Sequence, residues 1–283
     1  MHRALCQLAL RLLAGLAGLI LFSGTATAEQ KPLWEAGAGF GVVNFPDYRG
    51  SDERSSFALP IPYFVYRGEF LRVDRESIRG RLFESERWEL DISLNGSVPV
   101  DSDENEAREG MDDLEPTLEL GPVLKYHAWQ SADEQMRVEL RLPLRAAINT
   151  EFEHVGWITQ PQVNLDVADP FGYTGWQLGL HTGPIFGDAD FHQYFFGVEP
   201  EFARPGRPAY DADSGYAGAQ VTAALSKRFG KMWLGGFVKW DTLDGAAFED
   251  SPLVRDKSNF TAGFAVSWVL KVSDELVEVS KED

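Results

Sequence analysis

The chain has 283 residues, with 26 basic side chains against 44 acidic ones, a net charge of −18 and a single cysteine. Such an excess of carboxylates excludes a surface of clustered Lys and Arg, and with it nucleic acid as a partner. One cysteine excludes an intrachain disulfide, and no segment after residue 28 has about 18 consecutive apolar residues, so no membrane-spanning helix is expected there.

The first 28 residues have the composition of an export signal. His2, Arg3 and Arg11 give a basic start, Leu12 to Phe22 form an apolar run of 11 residues, and Ala26-Thr27-Ala28 supplies small side chains at a cleavage point. The run is too short to span a bilayer as a mature helix. Residues 1–28 are therefore read as a signal peptide, and the mature chain as starting near Glu29. Cys6 leaves with the signal, and the remaining 24 basic and 44 acidic residues give −20.

From there the sequence alternates with a period of two. The expected strands are 33–43, 57–66, 70–75, 78–84, 87–99, 114–128, 136–149, 157–168, 175–187, 216–229, 231–243 and 259–271. The seventh shows the pattern most plainly: Met136, Val138, Leu140, Leu142, Leu144, Ala146 and Ile148 alternate with Arg137, Glu139, Arg141, Pro143, Arg145, Ala147 and Asn149. Side chains alternate sides along a strand, so each segment has one apolar and one polar face. Soluble strands average about five or six residues, whereas membrane-spanning ones need about 9–11. Several of these runs are longer, and Trp34, Trp88, Tyr126, Trp129, Trp157, Trp176, Trp233, Trp240 and Trp268 cluster toward their ends, as in the aromatic girdles of outer-membrane barrels.

The fold expected is all-β: a closed antiparallel up-and-down transmembrane barrel of about 12 strands over residues 29–271. An even count puts the long connections 44–56, 100–113, 188–215 and 244–258 outside the cell, and short turns (67–69, 84–86, 129–135, 169–174, 229–231) in the periplasm. A thirteenth strand at 191–203 would reverse that parity, so the aromatic segment Phe191, Tyr194, Phe195, Phe196 is read as loop. Residues 272–283 read as a polar tail, expected to be periplasmic and mobile.

The same parity points one set of charges into the barrel. Glu115, Glu119, Lys125 and His127 should share the inner wall with Arg137, Glu139, Arg141 and Arg145, with Glu89 and Asp91 one strand further on. Rings of one sign would select a charged solute. Interleaved signs, as here, favour a hydrogen-bonded filling of mixed ion pairs. The run Asp101, Asp103, Asn105 begins like a calcium loop but has Glu106 where that loop needs glycine, so a solvated loop is expected. His127, His154, His181 and His192 stand in no motif with a nucleophilic serine, and Asp188, Asp190, His192 is a short alternation that arises easily by chance. No catalytic residue, metal site or cofactor is expected.

Several loop sequences carry a resemblance. Asn44 to Asp52 (NFPDYRGSD) is followed by Leu59-Pro60-Ile61-Pro62-Tyr63 and Tyr66-Arg67-Gly68-Glu69. Further on come Phe191 to Val198 (FHQYFFGV), Gly206 to Ala212 (GRPAYDA), Leu243-Asp244-Gly245 and Asp250 to Val254 (DSPLV). Together these resemble, in order, the MipA/OmpV family. In the last strand Thr261, Gly263, Val266 and Trp268 have the spacing that resembles the assembly signal of outer-membrane barrels, which usually ends the chain, whereas this chain runs 15 residues further. The family resemblance implies an outer-membrane location, contact with membrane lipid and lipopolysaccharide, and scaffolding between a lytic transglycosylase and a penicillin-binding protein in cell-wall assembly. The alternatives are a narrow porin-like channel for small solutes and, second, an outer-membrane hydrolase.

Overall fold

A computed structural model describes residues 29–73 and 78–279. The expected signal peptide at 1–28, Cys6 within it, and residues 280–283 lie outside the described residues. The strands are β1 (Glu29–Pro32), β2 (Trp34–Pro46), β3 (Arg54–Arg67), β4 (Leu71–Val73), β5 (Ile78–Glu84), β6 (Trp88–Gly96), β7 (Leu118–Gln130) and β8 (Met136–Ile148). Then follow β9 (His154–Thr159), β10 (Gln162–Ala168), β11 (Trp176–Gly187), β12 (Gly215–Phe229), β13 (Met232–Thr242), β14 (Ser258–Val272) and β15 (Leu276–Val279). The helix α1 spans Ala189–Phe196.

β2 to β14 form one antiparallel ring. Both β9 and β10 pair with β8 on one side and β11 on the other, so they are two halves of one position interrupted at Gln160-Pro161, and the ring has twelve positions. Proline has no N–H to give the ladder, and the interruption falls where it stands. Gly183 of β11 accommodates it, since a Cβ there would sit 1.9 Å from the Pro161 carbonyl oxygen. β14 pairs with β2, Val266 opposite Phe40, and this closes the circle. Residues Glu29–Pro32 and Leu276–Val279 pair with each other in a separate two-stranded sheet, so the polar tail expected to be mobile contains an ordered strand. Its sequence Leu-Val-Glu-Val is rich in β-branched residues, which suit a strand.

The two faces of the wall differ as the alternation requires. Leu140, Leu142 and Leu144 of β8 are exposed on the outside, with Phe40, Leu120, Val221, Val238 and Phe264 of other strands. Glu139 is buried on the inside, and Arg137, Arg141 and Arg145 share that face. At the short-turn end, Trp88 packs on Tyr126 (ring centroids 4.6 Å apart) and Trp176 meets Phe229 edge-on, while Lys227 Nζ sits over both rings of the second pair. Trp233 departs from this girdle: it points inward and packs against Tyr63, Val65 and Val269. Glycine at 235 makes the room, because a Cβ there would lie 2.2 Å from the Trp233 ring.

The outer end is capped. Loops 47–53, 97–117, 188–214 and 243–257 bring together Tyr48, Val100, Leu114, Phe196, Val198, Leu243, Phe248 and Leu253 in a buried apolar cluster. Each fully buried aromatic or aliphatic side chain contributes about 1.5–3 kcal/mol. Hydrogen bonds tie loop to loop: the Tyr48 hydroxyl donates to the Leu253 carbonyl (2.8 Å), Ser251 to the Phe196 carbonyl (2.7 Å), and the Asn105 amide to Asp47 (3.0 Å). The segment expected as loop at 191–203 contains α1, whose Asp188 caps it by accepting from the Phe191 N–H at 2.9 Å. The wall is lowest at β4 and β5. Among the described residues, β3 is paired to β4 only at Tyr66 and Arg67, so Arg54–Val65 has a ladder partner only in β2.

Candidate functional site

The inner wall formed by β6, β7, β8 and β10 is ionic, and strand register decides who meets whom. Glu89 lies opposite Lys125, Lys125 opposite Arg141, and His127 opposite Glu139. Lys125 Nζ donates to Glu89 Oε1 at 3.2 Å and to Asp91 Oδ2 at 2.5 Å, with all three side chains buried. Arg141 Nε donates to Glu139 Oε1 at 2.5 Å, and His127 Nδ1 is 3.1 Å from Glu139 Oε2. Nearer the cap, Arg145 bridges to Glu119 at 3.1 Å and to the Ser93 hydroxyl at 3.2 Å, while the Asn95 amide also donates to Glu119. Arg137 approaches Asp166 at 4.0 Å. Acidic and basic side chains are interleaved on neighbouring strands, so the charges pair locally rather than gather into a ring of one sign. Removing one member of such a buried pair costs about 3–5 kcal/mol, because the other is left uncompensated.

Of the charges expected on this wall, Glu115 stands apart. β7 begins at Leu118, and residue 115 belongs to the loop, where Thr150 donates to its carboxylate and Tyr194 to its carbonyl. Pro116 and an isolated bridge between Val100 and Leu114 end the regular ladder early. Of the four residues with assembly-signal spacing, Thr261 and Gly263 face inward, with the Phe237 ring on the glycine. Val266 and Trp268 share the opposite, outward face of β14.

Other candidates resolve into local structure. Asp101 caps a short turn by accepting from the Asp103 N–H (3.0 Å), and Asn105 is committed to Asp47 and Ser51, so these groups do not converge as a calcium loop would require. Asp188 caps α1, and His192 Nδ1 donates to the Asp213 carbonyl at 2.6 Å, deep in the cap. Burial holds the His192 imidazole below its ordinary pKa, so it is neutral there. Burial likewise lowers the Arg108 guanidinium beneath the same cap, where it lies 6.0 Å from the Tyr48 ring.

Two ionic features had no signal in local sequence. Glu35, 2% exposed, is held between Arg67 (2.7 Å) and Arg228 (2.7 Å) near the short-turn end. Arg49 of the first outer loop reaches Asp241 of β13 (2.9 Å) and the Ala217 carbonyl (2.7 Å). Partners 32 to 193 residues away in the chain can be assigned only once the ring is closed.

The family described as MltA-interacting protein MipA matches residues 38–270, from the first barrel strand to the last. The chain belongs to that family. As a MipA-family barrel with an apolar outer belt, it is an outer-membrane protein. Among curated proteins, none matches the chain. Solved structures similar to it include a bacterial polysaccharide outer-membrane secretin (10% identity, 84% of this chain and 99% of that one, TM-score 0.42). OprB of Pseudomonas putida (7%, 84% and 94%, 0.41) and an outer-membrane channel from Pseudomonas putida F1 (14%, 88% and 100%, 0.38) are similar to it in the same degree. Nothing about this chain's function follows from likenesses so distant; the fold is read from its own strand pairing.

Proposed function

We propose that this MipA-family barrel is a non-catalytic body that holds a lytic transglycosylase, and through it a penicillin-binding protein, at the inner surface of the outer membrane. The observation that carries this reading is the capped barrel: ion pairs line its charged wall and a loop core covers its outer end, so it has the build of an anchor rather than of a conduit. The partner comes from the family's description as MltA-interacting. On this reading residues 1–28 are the export signal, and the belt of outward leucines and aromatics meets membrane lipid and lipopolysaccharide. The periplasmic turns are short, which leaves the strand Leu276–Val279 and its neighbours as the longest segment available for a protein contact.

Pull-down from detergent-solubilised envelopes, with full-length chain and with residues 272–283 removed, tests this. The full chain is expected to retain a lytic transglycosylase and the shortened chain to retain less. Failure of the full chain to enrich any peptidoglycan-cleaving enzyme would contradict it.

One observation favours a second reading, a narrow channel. Beside the low wall a cavity of about 890 Å³ opens between the outer half of β3 and loop 97–117, over Phe45, Phe57 and Arg54. A solute would have to pass there rather than through the capped mouth.

A further inference from the structure

Three side chains of the inner wall converge more closely than ion pairing requires. Glu89 on β6, His127 on β7 and Glu139 on β8 each place one donor atom within 4.8 Å of the others. The imidazole lies between the carboxylates, with Nδ1 3.1 Å from Glu139 Oε2 and Nε2 3.9 Å from Glu89 Oε2. The second oxygen of each glutamate is fixed by a cation: Lys125 holds Glu89 Oε1, and Arg141 holds Glu139 Oε1. Both Oε2 atoms are thereby turned toward the ring. Outer partners that orient carboxylate and imidazole ligands in this way are a regular part of metal sites.

Two further observations distinguish this cluster from a simple pair. His127 Nδ1 is buried and makes no hydrogen bond, although the carboxylate oxygen is only 3.1 Å away, so the two atoms approach without one pointing its proton at the other. Ligands at about 2.0–2.1 Å from a tetrahedral ion stand roughly 3.3 Å from each other, close to the Nδ1–Glu139 separation, while the Glu89 carboxylate, now 3.9 Å from Nε2, would close in on the ion. Asp91 is 1% exposed, and its Oδ1 also lacks a hydrogen bond while Oδ2 binds Lys125. Glu89, Asp91 and Glu139 thus gather around Lys125, His127 and Arg141 on this part of the wall.

We propose that Glu89, His127 and Glu139 bind a divalent transition-metal ion of the Zn²⁺ class inside the barrel. One imidazole with two carboxylates suits a borderline ion better than Ca²⁺, which takes six to eight oxygens. Three protein ligands leave a further position for water or a lumenal solute. His127 is three residues from the end of β7, toward the short-turn end of the barrel.

The test uses the full chain, tag-free, folded in detergent and stripped with a chelator. Calorimetry with Zn²⁺ is expected to show one ion per chain, and Co²⁺ to give visible d–d absorption of a nitrogen- and oxygen-ligated ion. His127→Ala should weaken Zn²⁺ binding more than tenfold. Glu89→Gln and Glu139→Gln keep the side-chain shape, so a similar loss with unchanged heat-modifiable migration in gels reads ligation rather than folding. Absence of Zn²⁺ binding by the wild-type chain, or binding unchanged in His127→Ala and Glu139→Gln, would overturn the proposal.

Discussion

The ring of Phe196 lies flat on the ring of Phe248, centroids 3.7 Å apart and planes 9° from parallel, although the two belong to different outer loops. His192 meets the same Phe248 ring edge-on at 4.7 Å. This stack is the centre of the cap, and Phe248 is fully buried in it. Phe248→Ala is expected to cost about 3–5 kcal/mol of cap stability through lost burial and the cavity left behind. The strand ladder does not depend on it. Limited proteolysis of the folded protein should therefore cut loops 188–214 and 243–257 much faster in the variant, while heat-modifiable migration of the barrel is unchanged.

The outward face of β8 gives a sharper contrast. Leu142 is 51% exposed, and in a soluble protein an exposed Leu→Arg change falls within about ±0.5 kcal/mol. Facing lipid near mid-membrane, Leu142→Arg should cost about 2–4 kcal/mol. Denaturant unfolding in lipid vesicles, followed by tryptophan fluorescence, measures the difference, and Leu142→Phe serves as the tolerated control.

The cap should also weaken in mild acid. Burial is the largest influence on His192, and Arg49 pushes the same way; the Asp213 carbonyl and Asp188 pull upward but do not offset it. The unfolded imidazole takes up a proton as pH falls through about 6.5. The folded one resists until lower pH, so the unfolded cap is favoured increasingly below about 6.5, and the loss levels off once the folded ring protonates. Hydrogen exchange of loop 188–214 measured from pH 8 to pH 5 should show this loss of protection after correction for intrinsic rates. In His192→Asn, whose amide can still donate to Asp213, the dependence should flatten.

Much of the architecture was legible in the chain itself. The alternation of apolar residues with mostly charged ones from Met136 to Arg145 gives both the strand and its two faces, and parity of the long connections gives twelve ring positions. The helix Ala189–Phe196 was not legible, because eight residues crowded with aromatics show neither period clearly. Trp233 was misplaced because its inward turn depends on Gly235 two residues along, a matter of space rather than polarity. Among the site residues, Glu89, His127 and Glu139 could be put on one face by counting. Their convergence could not be found that way, because register between β7 and β8 shifts at a bulge between His127 and Trp129. The cap joins residues such as Tyr48 and Leu253, 205 positions apart, and no local pattern announces such a contact.

Single-channel recording in planar bilayers tests the capped, ion-paired barrel most directly. The wild-type chain is expected to insert without steady ionic steps, and Arg141→Trp to change nothing. Stable openings of the wild type that Arg141→Trp abolishes would contradict the account and make the barrel a pore.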